Sequence, residues 1–180
     1  MKIRTRIFLV FILVVASGFY FLVQWIADDL RPRYLESLEE PLVDTAHILA
    51  EWFVDEFAGD EFNAQSLSEV FHRAYQRRFK AQIYALEKQH VDLRVYVTDR
   101  TGKVVFDSVG QDVGKDYSSW NDVHRTLNGQ YGARASNEDP HDPVSVVLYI
   151  AAPIMRDGEL IGVVSVGKPA RNADRCLLSR

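Results

Sequence analysis

IFLVFILVVASGFYFLVQWI, residues 7–26, is an uninterrupted apolar segment near the start of this 180-residue chain. It contains no charged residue over 20 positions. A helix rises about 1.5 Å per residue, so a segment of this length spans about 30 Å, the thickness of the hydrocarbon core of a bilayer. The segment therefore predicts a transmembrane helix.

The charges on either side of the segment predict its orientation. Lys2, Arg4 and Arg6 precede it, whereas residues 28–61 contain eleven Asp or Glu against two Arg. Basic flanks stay in the cytoplasm. We therefore expect residues 1–6 in the cytoplasm and the remainder on the opposite side of the membrane, anchored by one span.

A cleaved signal peptide is the alternative interpretation of the same segment. Its apolar region would be about 7–15 residues long and would end in small residues. The small cluster Ala16-Ser17-Gly18 lies in the middle of the segment instead. Length and the position of this cluster favour an uncleaved anchor.

Composition excludes several classes of function. The net charge of −4, without a basic stripe, argues against nucleic-acid binding. Cys176 is the only cysteine, so no internal disulfide forms. The sequence contains no Gly-x-Ser-x-Gly, His-Glu-x-x-His or phosphate-binding loop motif. We therefore predict no catalytic residues and no cofactor.

After the span, the apolar spacing predicts one long helix ending near Gly59. One face contains Leu35, Leu38, Leu42, Thr45, Leu49 and Trp52. Pro41 interrupts this pattern, which predicts a kink or a fresh helix start there because an interior proline costs about 3 kcal/mol. The face either packs on its own domain or pairs with a second copy of the chain.

A Ser-x-x-Glu capping box at Ser66 and Glu69 predicts the start of a second helix. Its apolar positions are Leu67, Val70, Phe71, Ala74 and Tyr75. The basic residues Arg73, Arg77, Arg78 and Lys80 form the outer face. Lipid head groups are one partner for these cations, but we expect a solvated face.

From residue 91 the apolar period changes to two. Leu93, Val95 and Val97 alternate with polar residues, which predicts a half-buried strand. A turn at residues 99–102 and a returning strand over residues 104–107 complete a hairpin. A second capping box, Ser119 with Asp122, predicts a short helix.

Three further strands are predicted over residues 131–135, 144–154 and 160–166, with a turn at residues 157–158. Helices dominate the first half and strands the second. The fold class is therefore α+β, with the long N-terminal helix packed on a five-stranded antiparallel sheet.

Three stretches carry a resemblance to a known family: VYVTDRTGKVVFDS at 95–108, VGKDYSSWNDVHRTLNGQYGAR at 113–134, and AAPIMRDGELIGVVSVGKP at 151–169. Behind a membrane anchor they resemble the extracytoplasmic PAS-like (Cache) sensor domains of bacterial receptors. They are most similar to the periplasmic sensor end of CreC-type two-component histidine kinases. The resemblance covers residues 1–169.

The resemblance implies a membrane-bound homodimer that senses a small molecule. In the family, a second transmembrane helix and a kinase follow, and the kinase passes phosphate to a response regulator. Here only eleven residues follow Pro169, with no apolar span and no phosphoacceptor motif. We expect segments at 1–6, 7–26, 27–169 and 170–180, a truncation before the kinase, and no enzymatic activity in this chain.

The resemblance also implies a ligand pocket between the sheet and residues 116–134. Polar groups among aromatics suit a small-molecule site. The candidate ligand-binding residues are Tyr117, Trp120, Asn121, His124, Arg125, Arg134 and Tyr149. Arg125 and Arg134 are candidates to bind a carboxylate by paired hydrogen bonds. Alternatively, the two aromatics of this helix belong to the core and the arginines to the surface.

A loop with Glu138, Asp139, His141 and Asp142 offers ligands for a divalent metal ion, but its two prolines favour a plain turn, so no metal site is predicted. The leading hypothesis is a membrane-anchored sensor of a small periplasmic molecule. A ligand-free dimerisation module is the first alternative. An input domain of a chemoreceptor or cyclase is the second.

Overall fold

The computed structural model describes residues 3–58, 61–84, 86–137 and 146–169. The chain forms two compact units, Met1–Glu40 and Pro41–Arg180. The loop that contains Asp139 and His141 and the tail after Pro169 lie outside the described residues. The metal hypothesis for that loop therefore stays a prediction.

The first unit is helical. Helix α1 is assigned over Ile3–Phe53, and the stretch Ile3–Ile26 is long and apolar enough to cross a membrane. The predicted span at 7–26 lies within it. The helical assignment continues through Pro41, so the predicted fresh start there is wrong. Proline fixes φ near the helical value and removes only one backbone hydrogen bond. The boundary between the two units falls at this proline.

The second unit contains short helices and strands around one sheet. In chain order its elements are a 3-10 turn Val54–Glu56, β1 (Phe57–Ala58), β2 (Glu61–Phe62), α2 (Ala64–Gln76), β3 (Ala81–Ile83), β4 (Leu86–Lys88), β5 (Arg94–Asp99), β6 (Val104–Asp107), α3 (Asn121–Leu127), β7 (Gly132–Asn137), β8 (Val146–Arg156) and β9 (Glu159–Pro169).

Strands β5 to β9 form the five-stranded sheet, in the order β6-β5-β9-β8-β7 with every neighbouring pair antiparallel. The predicted α+β fold class is confirmed. The two hairpins β1–β2 and β3–β4 were not predicted. They contain strands of two or three residues, too short for a period of two to be recognised.

One face of the sheet packs on α1. Leu42, Ala46, Ala50 and Phe53 of the helix are buried with strand residues such as Val164. The predicted face is correct in part, because Leu42 belongs to it and Leu49 also packs against this cluster. Trp52 is instead 51 % exposed, and Ala46, Ala50 and Phe53 are buried although they were not predicted.

The other face of the sheet packs on α3. A second buried cluster there contains Tyr96, Tyr117, Val123 and Tyr149. Because both faces are covered, β5 is buried at each position from Val95 to Thr98, and the half-buried strand predicted from alternation is wrong. Its polar positions face this second cluster.

The hairpin turns agree with prediction, whereas the helix starts do not. Gly102 adopts φ +88° between β5 and β6, as the turn requires. Helix α2 begins at Ala64, so Ser66 lies inside it, and its hydroxyl donates to Glu56 rather than capping the helix. Helix α3 begins at Asn121, and Asp122 is turned into the core instead of serving a capping box.

Candidate functional site

A cavity of about 260 Å³ lies on the α3 side of the sheet. Its wall combines aromatic rings from three separate segments with two arginines, Arg94 and Arg134. Asp107 and Asp112 also line it. The cavity is thus a small site with a mixed aromatic and charged wall.

Arg134 of β7 is held between two aromatic rings. Its guanidinium carbon lies 4.0 Å from the ring centroid of Trp120 and 4.2 Å from that of Tyr149. Trp120 in turn stacks on Tyr117, with ring centroids 3.6 Å apart and an interplanar angle of 12°. Cation–π contacts on both faces fix the plane of the guanidinium group.

Asp122 of α3 lies beneath this arrangement and has no exposed surface. Its carboxylate accepts a hydrogen bond from the Nε atom of Arg134 at 2.9 Å and from the hydroxyl of Ser165 at 2.8 Å. The hydroxyl of Tyr96 also donates to it. One carboxylate therefore joins α3 to three strands, β5, β7 and β9.

The close approach of α3 to β7 depends on a glycine. A Cβ atom at Gly132 would lie 2.1 Å from the backbone oxygen of Asp122 and 2.3 Å from Oγ1 of Thr126. The Thr126 hydroxyl itself donates to that same backbone oxygen. The lack of a side chain at this position brings Asp122 within reach of Arg134.

Charge coupling sets the protonation states at the site. Burial lowers the pKa of Arg134, but the charge of Asp122 outweighs it and the net pKa is raised. Burial, and then the charge of Asp122, raise the pKa of Tyr96 well above its usual value. Arg134 is therefore a permanent cation, and Tyr96 is a neutral hydrogen-bond donor at physiological pH.

The acids in the cavity wall are engaged by the protein itself. The carboxylate of Asp107 accepts hydrogen bonds from the backbone of Val109, Gln111 and Asp112. Asp112 pairs with Lys115. By contrast, the Nη2 atom of Arg134 is buried and has no hydrogen-bond partner among the described residues. This orphaned cationic donor is the chemical feature of the cavity that most favours an anion.

The structure brings together four of the seven candidate residues. Tyr117, Trp120, Arg134 and Tyr149 line the cavity. The other three, Asn121, His124 and Arg125, are exposed on α3 and do not line it.

The side chains of Asn121 and His124 contact neighbouring backbone oxygens. The side-chain amide of Asn121 donates to the backbone oxygen of Ala133 at 2.9 Å. A ring nitrogen of His124 lies 3.2 Å from the backbone oxygen of Ser118. These contacts hold α3 to its neighbours.

The cavity wall also contains residues that were not predicted, among them Arg94, Asp107 and Asp112. Two further unpredicted residues, Tyr96 and Asp122, form the buried hydrogen bonds of the site. Tyr96 belongs to the polar side of an alternating strand, which sequence alone assigns to solvent. Asp122 matches a local capping pattern, and that pattern does not indicate its hydrogen bonds to Arg134 and Ser165. An acid and a tyrosine within a buried aromatic cluster are recognisable only once both faces of the sheet are known to be covered.

No protein-family model matches the chain. The sensor protein CreC of Escherichia coli strain K12 is 44 % identical over 170 residues, which cover 94 % of this chain. The chain is similar to CreC-type sensor proteins. The resemblance predicted from three stretches of sequence is confirmed. The chain spans 36 % of the length of CreC, about a third of the relative.

Two solved sensor domains are similar in structure. The sensor domain of the Vibrio cholerae histidine kinase DctB matches 78 % of this chain and 52 % of its own, with a TM-score of 0.53 and 14 % identity. The Escherichia coli DcuS sensor domain matches 74 % and 89 %, with a TM-score of 0.47 and 18 % identity. At such identity the DctB likeness concerns the fold alone.

Proposed function

We propose that this chain is the extracytoplasmic signal-sensing input domain of a CreC-like two-component histidine kinase, anchored in the inner membrane. The similarity to CreC supports the signalling context. The apolar helix with basic residues before it supports an anchor with a cytoplasmic N-terminus and a periplasmic sensor domain. The kinase activity, and the transfer of phosphate to a response regulator, would belong to the part of a CreC-like protein that this chain does not span.

The ligand in this proposal is a small anion, with a carboxylate as the first candidate. The supporting observation is the buried Nη2 atom of Arg134, which has no acceptor among the described residues. A carboxylate oxygen would supply that acceptor, and the cation–π contacts with Trp120 and Tyr149 already hold the guanidinium group. The cavity volume of about 260 Å³ limits the ligand to a compact molecule.

Asp122 offers a route from ligand to signal. A ligand that binds Arg134 competes for the cation that Asp122 now holds, and Asp122 also accepts from Ser165 of β9. A change in the hydrogen bonds that Asp122 accepts would favour one of two packings of the sheet against its helices. Helix α1 packs on the opposite face and includes the candidate span, so it would carry the shift towards the membrane.

The test is isothermal titration of the full chain in lipid nanodiscs against mono-, di- and tricarboxylates, each paired with its neutral amide. We expect binding of at least one carboxylate and none of its amide. Trp120→Ala should abolish binding without removing the charge pair, and Arg134→Lys should weaken it. Arg125→Lys, on the exposed side of α3, is the matched control. Binding that is unchanged in Trp120→Ala and Arg134→Lys, or no binding by the whole panel, refutes the proposal.

A ligand-free dimerisation module is the second candidate function. The observation in its favour is that the guanidinium of Arg134 itself fills the space between Trp120 and Tyr149, as an internal ligand would. Sedimentation of the chain in detergent separates the two proposals. A stable homodimer that ignores every compound of the panel supports the module, whereas a ligand-dependent change supports the sensor.

A further inference from the structure

The β3–β4 hairpin presents an aromatic side chain at a turn position that disfavours it. Tyr84 adopts φ +51° and is 98 % exposed. Two-residue hairpin turns need positive φ values and are usually built from Asn and Gly. A bulky side chain is strained in that conformation, so turn geometry alone does not explain a tyrosine here.

The neighbouring residue extends the apolar character of the turn. Ile83, the last residue of β3, is 48 % exposed. The turn is nevertheless ordered, since the side-chain amide of Gln82 donates to the backbone oxygen of Tyr84 at 2.7 Å. We call Ile83 and Tyr84 the hairpin tip. The hairpin tip thus exposes two apolar side chains, and the Tyr84 side chain ends in a polar hydroxyl.

The chain that leads to the hairpin is strongly basic. Residues 73–88 contain five Lys or Arg and one acid, in a chain whose net charge is −4. Arg77, Arg78 and Lys80 are exposed between α2 and β3. The one acid, Glu87, pairs with Lys80 at 3.0 Å. We call Arg77, Arg78 and Lys80 the basic collar of the hairpin.

We propose that the hairpin tip and the basic collar bind the surface of an anionic phospholipid bilayer. Cationic side chains near a membrane are attracted to anionic head groups. Tyrosine suits the interface because its ring is apolar and its hydroxyl remains hydrated. Neither signal alone holds a protein to a membrane, but the two together do so when the protein is already tethered.

The tether is the candidate span of the same chain. That span ends at Ile26, and the unit that contains the hairpin begins at Pro41. A short covalent connection keeps the hairpin at a high effective concentration near lipid. The inference therefore rests on the proposed membrane anchoring, and the experiment measures anchoring separately.

The experiment places an environment-sensitive NBD fluorophore at the tip of the full chain. Cys176→Ser removes the native cysteine, and Tyr84→Cys provides the labelling site. The chain is reconstituted into vesicles of phosphatidylcholine alone or with phosphatidylglycerol, and brominated lipids serve as quenchers. Asp157→Cys is the matched control, because Asp157 is another exposed non-glycine turn residue with positive φ, at +51°.

We expect a blue shift and lipid quenching of the label at position 84 in vesicles that contain phosphatidylglycerol, and neither effect at position 157. Reversing the collar with Arg77→Glu and Arg78→Glu should remove the shift, since each basic residue contributes about fivefold to partitioning on anionic membranes. Flotation of both labelled chains with the vesicles reports anchoring. A chain that fails to float refutes the anchor and, with it, the inference that rests on the anchor.

Two results overturn the inference while the anchor holds. A label at position 84 that stays as solvent-exposed as the label at 157 shows that the tip does not enter lipid. A shift that is equal in both vesicle types and grows with protein concentration, in lipid or in detergent, assigns the tip to a second copy of the chain or to another protein.

Discussion

Asp122 is the residue on which the second buried cluster depends. It is a carboxylate without exposed surface, and a cation and two hydroxyls donate to it. Such an ion pair adds little net stability compared with an apolar pair of equal shape, but removing one partner leaves the other buried and charged. A variant that removes one partner of the ion pair is therefore expected to be strongly destabilised.

We predict that Asp122→Asn destabilises the sensor unit by about 3–5 kcal/mol, because the cation of Arg134 stays buried without its counter-charge. The measurement is chemical unfolding of the full chain in detergent, followed by tryptophan fluorescence. Asp116→Asn is the control. Asp116 is exposed and its carboxylate accepts from the backbone of Ser118, so a much smaller loss of stability than in Asp122→Asn is expected there. Equal effects for both variants would contradict the buried role of Asp122.

Asp92 predicts an acid-dependent loss of stability. Burial opposes its ionisation, but hydrogen bonds from Lys88 and Lys168 lower its pKa from 3.8 to about 2. A depressed carboxyl pKa stabilises the fold above the unfolded value and loses that contribution as pH falls through the folded value. The stability difference between wild type and Asp92→Asn should therefore be constant above about pH 5 and vanish between about pH 4 and pH 2.

Asp92 and its two lysine partners are partly accessible to water. We therefore expect Asp92→Asn to lower the free energy of unfolding by about 1 kcal/mol at neutral pH, less than the pKa difference alone implies. Unfolding curves at a series of pH values measure it, with added salt as a second variable. A difference that persists at pH 2, or one that ignores salt, would show that Asp92 acts through packing.

At the scale of elements, Arg156 joins the end of α1 to the sheet. Its Nη2 atom donates to the backbone oxygens of Val54, at 2.6 Å, and Phe57, at 2.5 Å. The Val54 oxygen also accepts from the backbone N–H of Phe57, so Arg156 adds charged hydrogen bonds to the turn that follows the helix. A side chain at the end of β8 thus holds the chain where α1 ends.

We predict that Arg156→Met costs about 2 kcal/mol, the range for hydrogen bonds to a charged group. Methionine keeps much of the length and apolar stem while removing the donors. Arg125→Met, at an exposed position of α3, should change stability by less than about 0.5 kcal/mol. Hydrogen exchange adds a local readout: amides of residues 54–57 should lose protection first in Arg156→Met. Uniform loss over the sheet would instead indicate a general packing defect.

The elements that sequence reasoning found are those with local signals. Strands β5, β6, β8 and β9 carry β-branched residues in runs separated by turn residues, and both turns contain glycine at positive φ. The errors arose where a local pattern competes with a distant contact. Ser119 and Asp122 match a capping box, yet Tyr96 and Ser165 hold Asp122 from 26 and 43 positions away. A pattern over four residues contains no information on partners so distant.

The whole molecule divides into an apolar helical unit and an α+β unit with the cavity. The candidate span has exposed apolar side chains along Ile3–Ile26, whereas the buried clusters belong to the second unit. Exposed apolar surface on this scale needs lipid or a partner to cover it. Because the charges before and after the span differ so strongly, membrane insertion should have one direction.

We predict that the second unit lies in the periplasm. Alkaline phosphatase fused after Arg180 should be active in bacterial cells, and green fluorescent protein fused at the same site should stay dark. The physical reason is the set of three cations in residues 1–6 against eleven acids and two arginines in residues 28–61. Replacing Lys2, Arg4 and Arg6 with Glu should lower the phosphatase signal by removing the cytoplasmic retention signal. A bright fluorescent fusion would refute the orientation.

A soluble product that is shortened near Ser17 would identify the segment as a cleaved signal peptide, because an uncleaved anchor keeps the full chain in the membrane fraction.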